Sequence, residues 1–227
     1  MAMSWHDLLF AHWPVAVDAL RPLVPAVLDV DVRDGVAWLG VVPFRMSGVR
    51  VRGLFALPGS GAFPELNVRT YVTFGGRPGV WFFSLDAASR MAVRTARSLF
   101  HLPYFDADMT CRADGDDVVY RSRRTHDGAP PAEFVARYGP AGATFRASPG
   151  SLDHWLTERY CLYAAKPDGS ILRGEIHHAP WPLQPARATI DVNSQAAAAG
   201  VSLPETAPHL LFARRLDVVA WAPERAG

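Results

Sequence analysis

The sequence predicts an α+β, mostly β chain: a mixed sheet or barrel of about ten strands with three or four short helices at its edge. Two observations carry this. The 19 prolines and 18 glycines are spread along all 227 residues and do not collect in one linker, so they punctuate many short segments. Most segments between them either alternate or are apolar on both faces, which is strand patterning, and few keep a helical spacing. No boundary divides the chain, so residues 1–227 are read as a single domain.

The elements follow in order. Ser4 can N-cap a short helix over residues 5–12, stopped by Pro14, and residues 17–24 fit another turn or two of helix. Residues 27–31 and 35–44 read as strands about the turn Arg33-Asp34-Gly35. Residues 49–63, with Gly53, Pro58, Gly59 and Gly61, read as a mobile loop. Residues 65–74 alternate cleanly, with Leu66, Val68, Thr70 and Val72 on one face and Glu65, Asn67, Arg69 and Tyr71 on the other. Residues 79–85 form a strand apolar on both faces. Residues 86–100 have helical spacing, with Ala87, Met91, Ala92, Thr95 and Leu99 as the apolar stripe. Strands are expected at 104–113, 116–125 and 133–138, the first two joined at Asp114-Gly115. After a loop at 140–150, Ser151 opens a helix over 152–157. Strands at 158–164 and 170–178 flank Pro167-Asp168-Gly169. The last strands, 186–192 and 210–221, flank an alanine-rich helix at 193–199.

Composition excludes several function classes. Hydrophobic residues at 49% and charged residues at 20% are globular proportions and exclude intrinsic disorder. The 23 basic and 22 acidic residues leave a net charge of +1, so no positive field favours nucleic acid. No apolar run approaches the ~20 residues of a membrane helix, and the first residues carry an acid and two histidines with no cleavage site. Neither Cys111 nor Cys161 has metal-ligand spacing; both read as reduced thiols in a cytoplasmic protein. Lys166 is the only lysine among the 23 basic residues, and it sits in a Lys-Pro-Asp-Gly turn, where side chains are solvated. Any chemistry that needs a lysine amine has this one candidate.

Three clusters invite a chemical reading. The stripe Glu65, Asn67, Arg69, Tyr71 shares one strand face; in a lumen Arg69 would clamp a carboxylate and Glu65 would exchange a proton. Alternation alone does not say which face is inside, so a solvent-facing stripe stays open. In Glu175-Ile176-His177-His178, neighbours point to opposite faces, so the two histidines cannot readily share a metal. His178 is either an acid/base group or a hydrogen-bonded core histidine. Arg121-Ser122-Arg123-Arg124 reads as a charged edge strand in preference to an anion pocket. Neither a metal nor a cofactor is expected.

The phrases LLFAHWPV, GVVPFRMSGVR, FPELNVRTYV, GVWFFSLDAAS, LTERYCLY and RGEIHHAPWPLQPA, in that order between residues 8 and 187, resemble the YqjF-like domain-of-unknown-function family of bacterial proteins. The order of elements is also similar to that of acetoacetate decarboxylase, carried by Asp18-Ala19-Leu20-Arg21, Leu28-Asp29-Val30-Asp31 and Phe83-Ser84-Leu85-Asp86 before the helix ending at Leu102-Pro103-Tyr104-Phe105. That resemblance implies a closed, cone-shaped β-barrel with short helices around it. It also implies that Tyr104 and Phe105 stand where the decarboxylase has its Schiff-base lysine and the lysine that lowers the pKa of the first. Neither can form an imine. Of the decarboxylase's two glutamates, one position matches Glu65 and the other falls near Leu39, where there is no acid. Tyr104 stands at the vacated position with His101 three residues before it; Tyr104 either donates a hydrogen bond to a bound ligand or plugs the barrel.

The resulting expectation is a barrel pocket for a small organic acid or oxo compound, acting without a Schiff base as a lyase, isomerase or hydrolase. Its catalytic candidates are Glu65, Tyr104 and His178, and its binding candidates Arg69, Asn67, Tyr71 and His101. The alternatives are a binding or sensor module without turnover, and an oligomer with a plugged barrel. No nucleic-acid or membrane partner is expected, and a homo-oligomer is compatible with the sequence.

Overall fold

The computed structural model describes residues 1–50 and 61–226. Among the described residues, thirteen strands and four α-helices follow one another. Strand β1 (Ala2–Val15) leads through α1 (Val17–Leu20) and a 3-10 turn to β2 (Asp29–Val30), β3 (Ala37–Arg50), β4 (Phe63–Phe74) and β5 (Arg77–Ala87). Helix α2 (Arg90–Phe100) precedes β6 (Tyr104–Asp114), β7 (Asp117–Arg124) and β8 (Glu133–Pro140). Then come α3 (Leu152–Thr157), β9 (Cys161–Ala165), β10 (Ile171–His178), β11 (Leu183–Asn193), α4 (Gln195–Ala198), β12 (His209–Ala220) and β13 (Glu224–Arg225). No helix among the described residues is long and apolar enough to cross a membrane.

The strand pairings close on themselves twice. Strand β12 pairs with β11 through Leu211–Ala213 and with β10 through Val218–Ala220. Strand β5 pairs with β9 at Val80 and Trp81 and with β6 at Leu85–Ala87, both in parallel. Two rings therefore share the wall β12-β1-β3-β4-β5. One ring adds β6, β7, β8 and β11 and has nine strands; the other adds β9 and β10 and has seven. Closure removes most exposed sheet edges.

The shared wall has a core on each face. Leu9, Ala11 and Trp13 of β1, Leu39 and Val41 of β3, and Leu66 and Val68 of β4 pack inside the nine-strand ring with Tyr120, Phe134 and Tyr138. Leu8 and Phe10, then Val42, Phe44 and Met46, point into the seven-strand ring with Trp181 and Leu211. The nine-strand ring is filled by side chains; the seven-strand ring is not.

Several expectations are corrected here. Residues 5–12 are strand, not helix, and Ser4 is inside β1. A strand buried on both faces is apolar at consecutive positions, Leu8 to Ala11, and this imitates a helix-forming run. The helix expected from residue 86 begins at Arg90, because Asp86 and Ala87 pair with β6; Ser89 is the N-cap and accepts from the Ala92 amide at 3.3 Å. Its expected stripe is not the packed side: Met91 and Leu99 are exposed and Val93 is buried. Strand β7 is not an edge but lies between β6 and β8; Arg121 and Arg123 are exposed, whereas Arg124 is buried. Of the loop expected at 49–63, Val49 and Arg50 end β3 and Phe63 begins β4; positions 51–60 lie outside the described residues.

One glycine is fixed by close packing where β5 meets β9. A Cβ on Gly79 would come within 2.8 Å of Cys161 Sγ and Tyr163 Cε2 and 2.9 Å of the Cys161 carbonyl oxygen. Gly79→Ala is expected to destabilise by about 1–3 kcal/mol through overpacking, measured by denaturant unfolding. An unchanged midpoint would contradict this packing.

Candidate functional site

The seven-strand ring encloses a cavity of about 280 Å³. Its walls are mostly apolar, and a few polar groups converge on it: Glu65, Asn67 and Arg69 from β4, Tyr104 at the start of β6, Arg159 after α3, and His178 at the end of β10. The alternating face of β4 is thus an interior face, and the solvent-facing reading of that stripe does not hold: Glu65 and Asn67 are buried and Arg69 is partly buried. The plugged-barrel expectation does not describe this ring.

Glu65 sits opposite Phe44 on β3 and Ala87 on β5, and its backbone carbonyl accepts from Tyr120 Oη at 2.7 Å. Tyr104 Oη donates to Glu65 Oε2 at 2.9 Å. The turn that aims Tyr104 inward is set by His101, which caps α2 in the left-handed conformation, and by Arg97 Nη1 donating to the Tyr104 carbonyl at 2.6 Å. Burial pushes the Glu65 carboxyl up to about 8, against the smaller opposing effect of the Tyr104 bond. Burial, followed by the neighbouring Glu65, holds Tyr104 well above the usual phenol range. Near pH 7 the pair is neutral and carries two protons in an apolar chamber.

Arg69 leaves β4 at an irregularity, where Phe83 is the extra residue on β5 and the register shifts between Val68 and Arg69. Its guanidinium lies over the rings of Phe10 (5.4 Å) and Tyr71 (5.7 Å), and Nη2 is 3.4 Å from both Tyr71 Oη and the Leu156 carbonyl. Among the described residues Arg69 forms no ion pair, and its Nε is buried without a partner. Asn67 Oδ1 is likewise buried and unpartnered. His178 Nδ1 donates to the Ala179 carbonyl at 2.9 Å, and its ring lies 4.7 Å from that of Tyr160 and 5.2 Å from that of Trp181. Burial lowers its pKa, so the imidazole is neutral.

Glu65, Asn67, Arg69, Tyr104 and His178 are therefore brought together, and two of the seven candidates are not. Tyr71 is fully buried behind Arg69, where its hydroxyl donates to the Leu156 carbonyl at 2.8 Å and meets His12 Nε2 at 2.6 Å. His101 faces a separate cleft lined by Trp81, Phe83 and Tyr163, because the left-handed cap turns it away from the ring. Phe105 also points elsewhere, with Arg124 stacked over it at 4.3 Å. Leu39 packs inside the nine-strand ring. Lys166 lies in the β9–β10 turn and lines neither cavity. Sequence reasoning missed Arg159 and His12. Both lie in phrases, LTERYCLY and LLFAHWPV, that were read only for resemblance.

The family DUF2071, described as an uncharacterized conserved protein, matches residues 2–217. The chain belongs to the DUF2071 family. It is 50% identical to the uncharacterized protein YqjF of Bacillus subtilis (strain 168) over 221 residues, covering 97% of this chain and 90% of that one. Among solved structures, the DUF2071 chain has the fold of acetoacetate decarboxylase from Legionella pneumophila, with a TM-score of 0.65 at 11% identity over 100% of this chain and 87% of that chain. The enduracididine biosynthesis enzyme MppR gives a TM-score of 0.67 at 12% identity, again over 100% and 87%. An acetoacetate decarboxylase-like enzyme from Sphingomonas wittichii RW1 gives 0.64 at 14% identity, over 100% and 92%. These likenesses show the cone-like fold of the DUF2071 chain, as its sequence resemblance implied.

Proposed function

We propose that the cavity binds a small organic acid or oxo compound through its carboxylate and acts on it by proton transfer, without a Schiff base. One observation carries the reading: a carboxyl held neutral near pH 7 and a guanidinium without a carboxylate partner face the same apolar chamber. Arg69 clamps the carboxylate. Glu65, with its pKa near the working pH, gives up or takes a proton, and Tyr104 donates a hydrogen bond to the group left charged. His178, neutral on the facing wall, is the second acid/base candidate. A solved structure has MppR complexed with pyruvate, an oxo acid, which supports the ligand class.

The test is thermal melting with a panel of 2-oxo and simple carboxylic acids, run on the wild type and Arg69→Gln, with borohydride added in a parallel arm. The expected result is a ligand-dependent rise in Tm that Arg69→Gln abolishes, with no covalent adduct. An adduct on Lys166, or equal shifts in both proteins, would overturn the proposal. A second reading, a binding module without turnover, is favoured by the phenol of Tyr104 at the position where the resemblance places an amine. Recovery of the bound acid unchanged after prolonged incubation supports binding alone; its consumption supports catalysis.

A further inference from the structure

We propose that the ligand is an amphipathic carboxylate, longer than a simple oxo acid, whose head lies at Arg69 and whose apolar body runs along the chamber toward Met46, Met3 and Met91. This inference rests on the reading of Arg69 as a carboxylate clamp.

Strand register orders the cavity by depth. On β1, β3 and β4 the paired residues form successive rows: His12, Gly40 and Arg69; then Val42 and Asn67; then Phe44 and Glu65; then Trp5, Met46 and Phe63. Each row is two residues from the next, so the four rows span roughly 20 Å. A three-carbon acid held at Arg69 would leave most of that length untouched.

The two ends differ in chemistry. At the Arg69 end two guanidiniums, those of Arg159 and Arg69, lie 5.0 Å and 5.7 Å from the centroid of the same Tyr71 ring. Arg159 pairs with Asp31 at 2.6 Å while Arg69 has no carboxylate among the described residues, and the buried Nη2 of Arg159 has no partner. His12, neutral because burial and Arg69 hold its pKa down, adds no charge. His12, Tyr71 and Leu156, each fully buried, close this end. Uncompensated positive charge at a closed end selects an anion.

Among the described residues the other end is apolar and open. Ala88 N donates to the Pro64 carbonyl, which places the start of α2 beside the Phe63 row, and Trp221 follows the residue that bonds to the Met1 carbonyl. Met91 is 51% exposed and Trp221 45%, and both line the cavity. Of the chain's five methionines, Met1, Met3, Met46 and Met91 line this one chamber. Methionine is the adaptable lining for apolar ligands of varied shape.

The experiment is a titration of the full chain with straight-chain carboxylates of four to ten carbons, below their micelle concentrations, followed by the change in tryptophan fluorescence, to which Trp5, Trp181 and Trp221 contribute from the cavity wall. Affinity is expected to rise about four-fold per methylene. The primary alcohols of equal length should bind at least ten-fold more weakly. In Arg69→Gln the acids should fall to the level of the alcohols while the length dependence survives. In Met46→Asn, with folding checked by Tm, the length dependence should flatten while the preference for acids survives. Affinity independent of length, with short oxo acids bound as well as decanoate, overturns this inference and leaves the proposed function standing. Alcohols bound as tightly as acids overturns the head-first orientation. No binding by any acid, short or long, removes both.

Discussion

Glu65→Gln is expected to stabilise the protein at alkaline pH and to change little at pH 5. Glu65 is 3% exposed, and burial raises the pKa of its carboxyl from 4.5 to about 8. Between those values the folded state holds a proton that the unfolded state has released. The stabilising contribution of that proton is complete at and below about pH 4.5, declines as the pH rises, and is gone above about 8. The whole span amounts to at most about 5 kcal/mol. Glutamine cannot ionise, and its carbonyl still accepts from Tyr104 Oη. The Tm of the wild type should therefore fall relative to Glu65→Gln by about 10 °C between pH 5 and pH 9. Two melting curves that stay parallel across this range would show that Glu65 is not held neutral. The same titration predicts that proton donation by Glu65 fades above pH 8.

Arg124→Met should be the most destabilising single change outside the cavity, costing about 3–5 kcal/mol. Arg124 and Asp86 are 3% and 0% exposed and lie 2.8 Å apart. Gln195 Nε2 donates to the other Asp86 oxygen at 3.1 Å, and Arg124 Nη1 donates to the Pro130 carbonyl at 3.2 Å. Burial raises the Asp86 pKa and Arg124 opposes it, so loss of the guanidinium leaves a sequestered carboxylate unopposed. Asp86→Asn in the Arg124→Met background should recover most of the loss, because a neutral amide keeps its bond to Gln195 without a charge. Denaturant titration of the two single variants and the double variant measures the coupling; additive losses would refute it.

Legibility from sequence followed bounding turns, caps and clean alternation. Strand β4 and helix α3 were readable because turns or caps bound them; β4 also alternates, although both its faces proved to be interior. Strand β1 was not, since two cores against its faces erase its period. The grouping of candidate residues around the chamber was legible where strand parity set it, at Glu65, Asn67 and Arg69. It failed at Tyr71 and His101, where a neighbouring element or a left-handed cap decides direction, and neither leaves a local signal. The edge reading of β7 failed for a related reason: the arginines looked alike in sequence, and only pairing separates the sequestered Arg124 from its solvated neighbours.

The partition common to the two rings restricts how this family can diversify. A residue enlarged on the chamber side of β1, β3 or β4 displaces backbone whose reverse is already filled by aromatic rings, so each change of chamber shape there strains the opposite compartment. Variation with the fewest side effects belongs to β10, α2 and the segment after α3, which border the chamber from one side only. Relatives whose chambers differ in shape should differ at those positions while the partition drifts slowly.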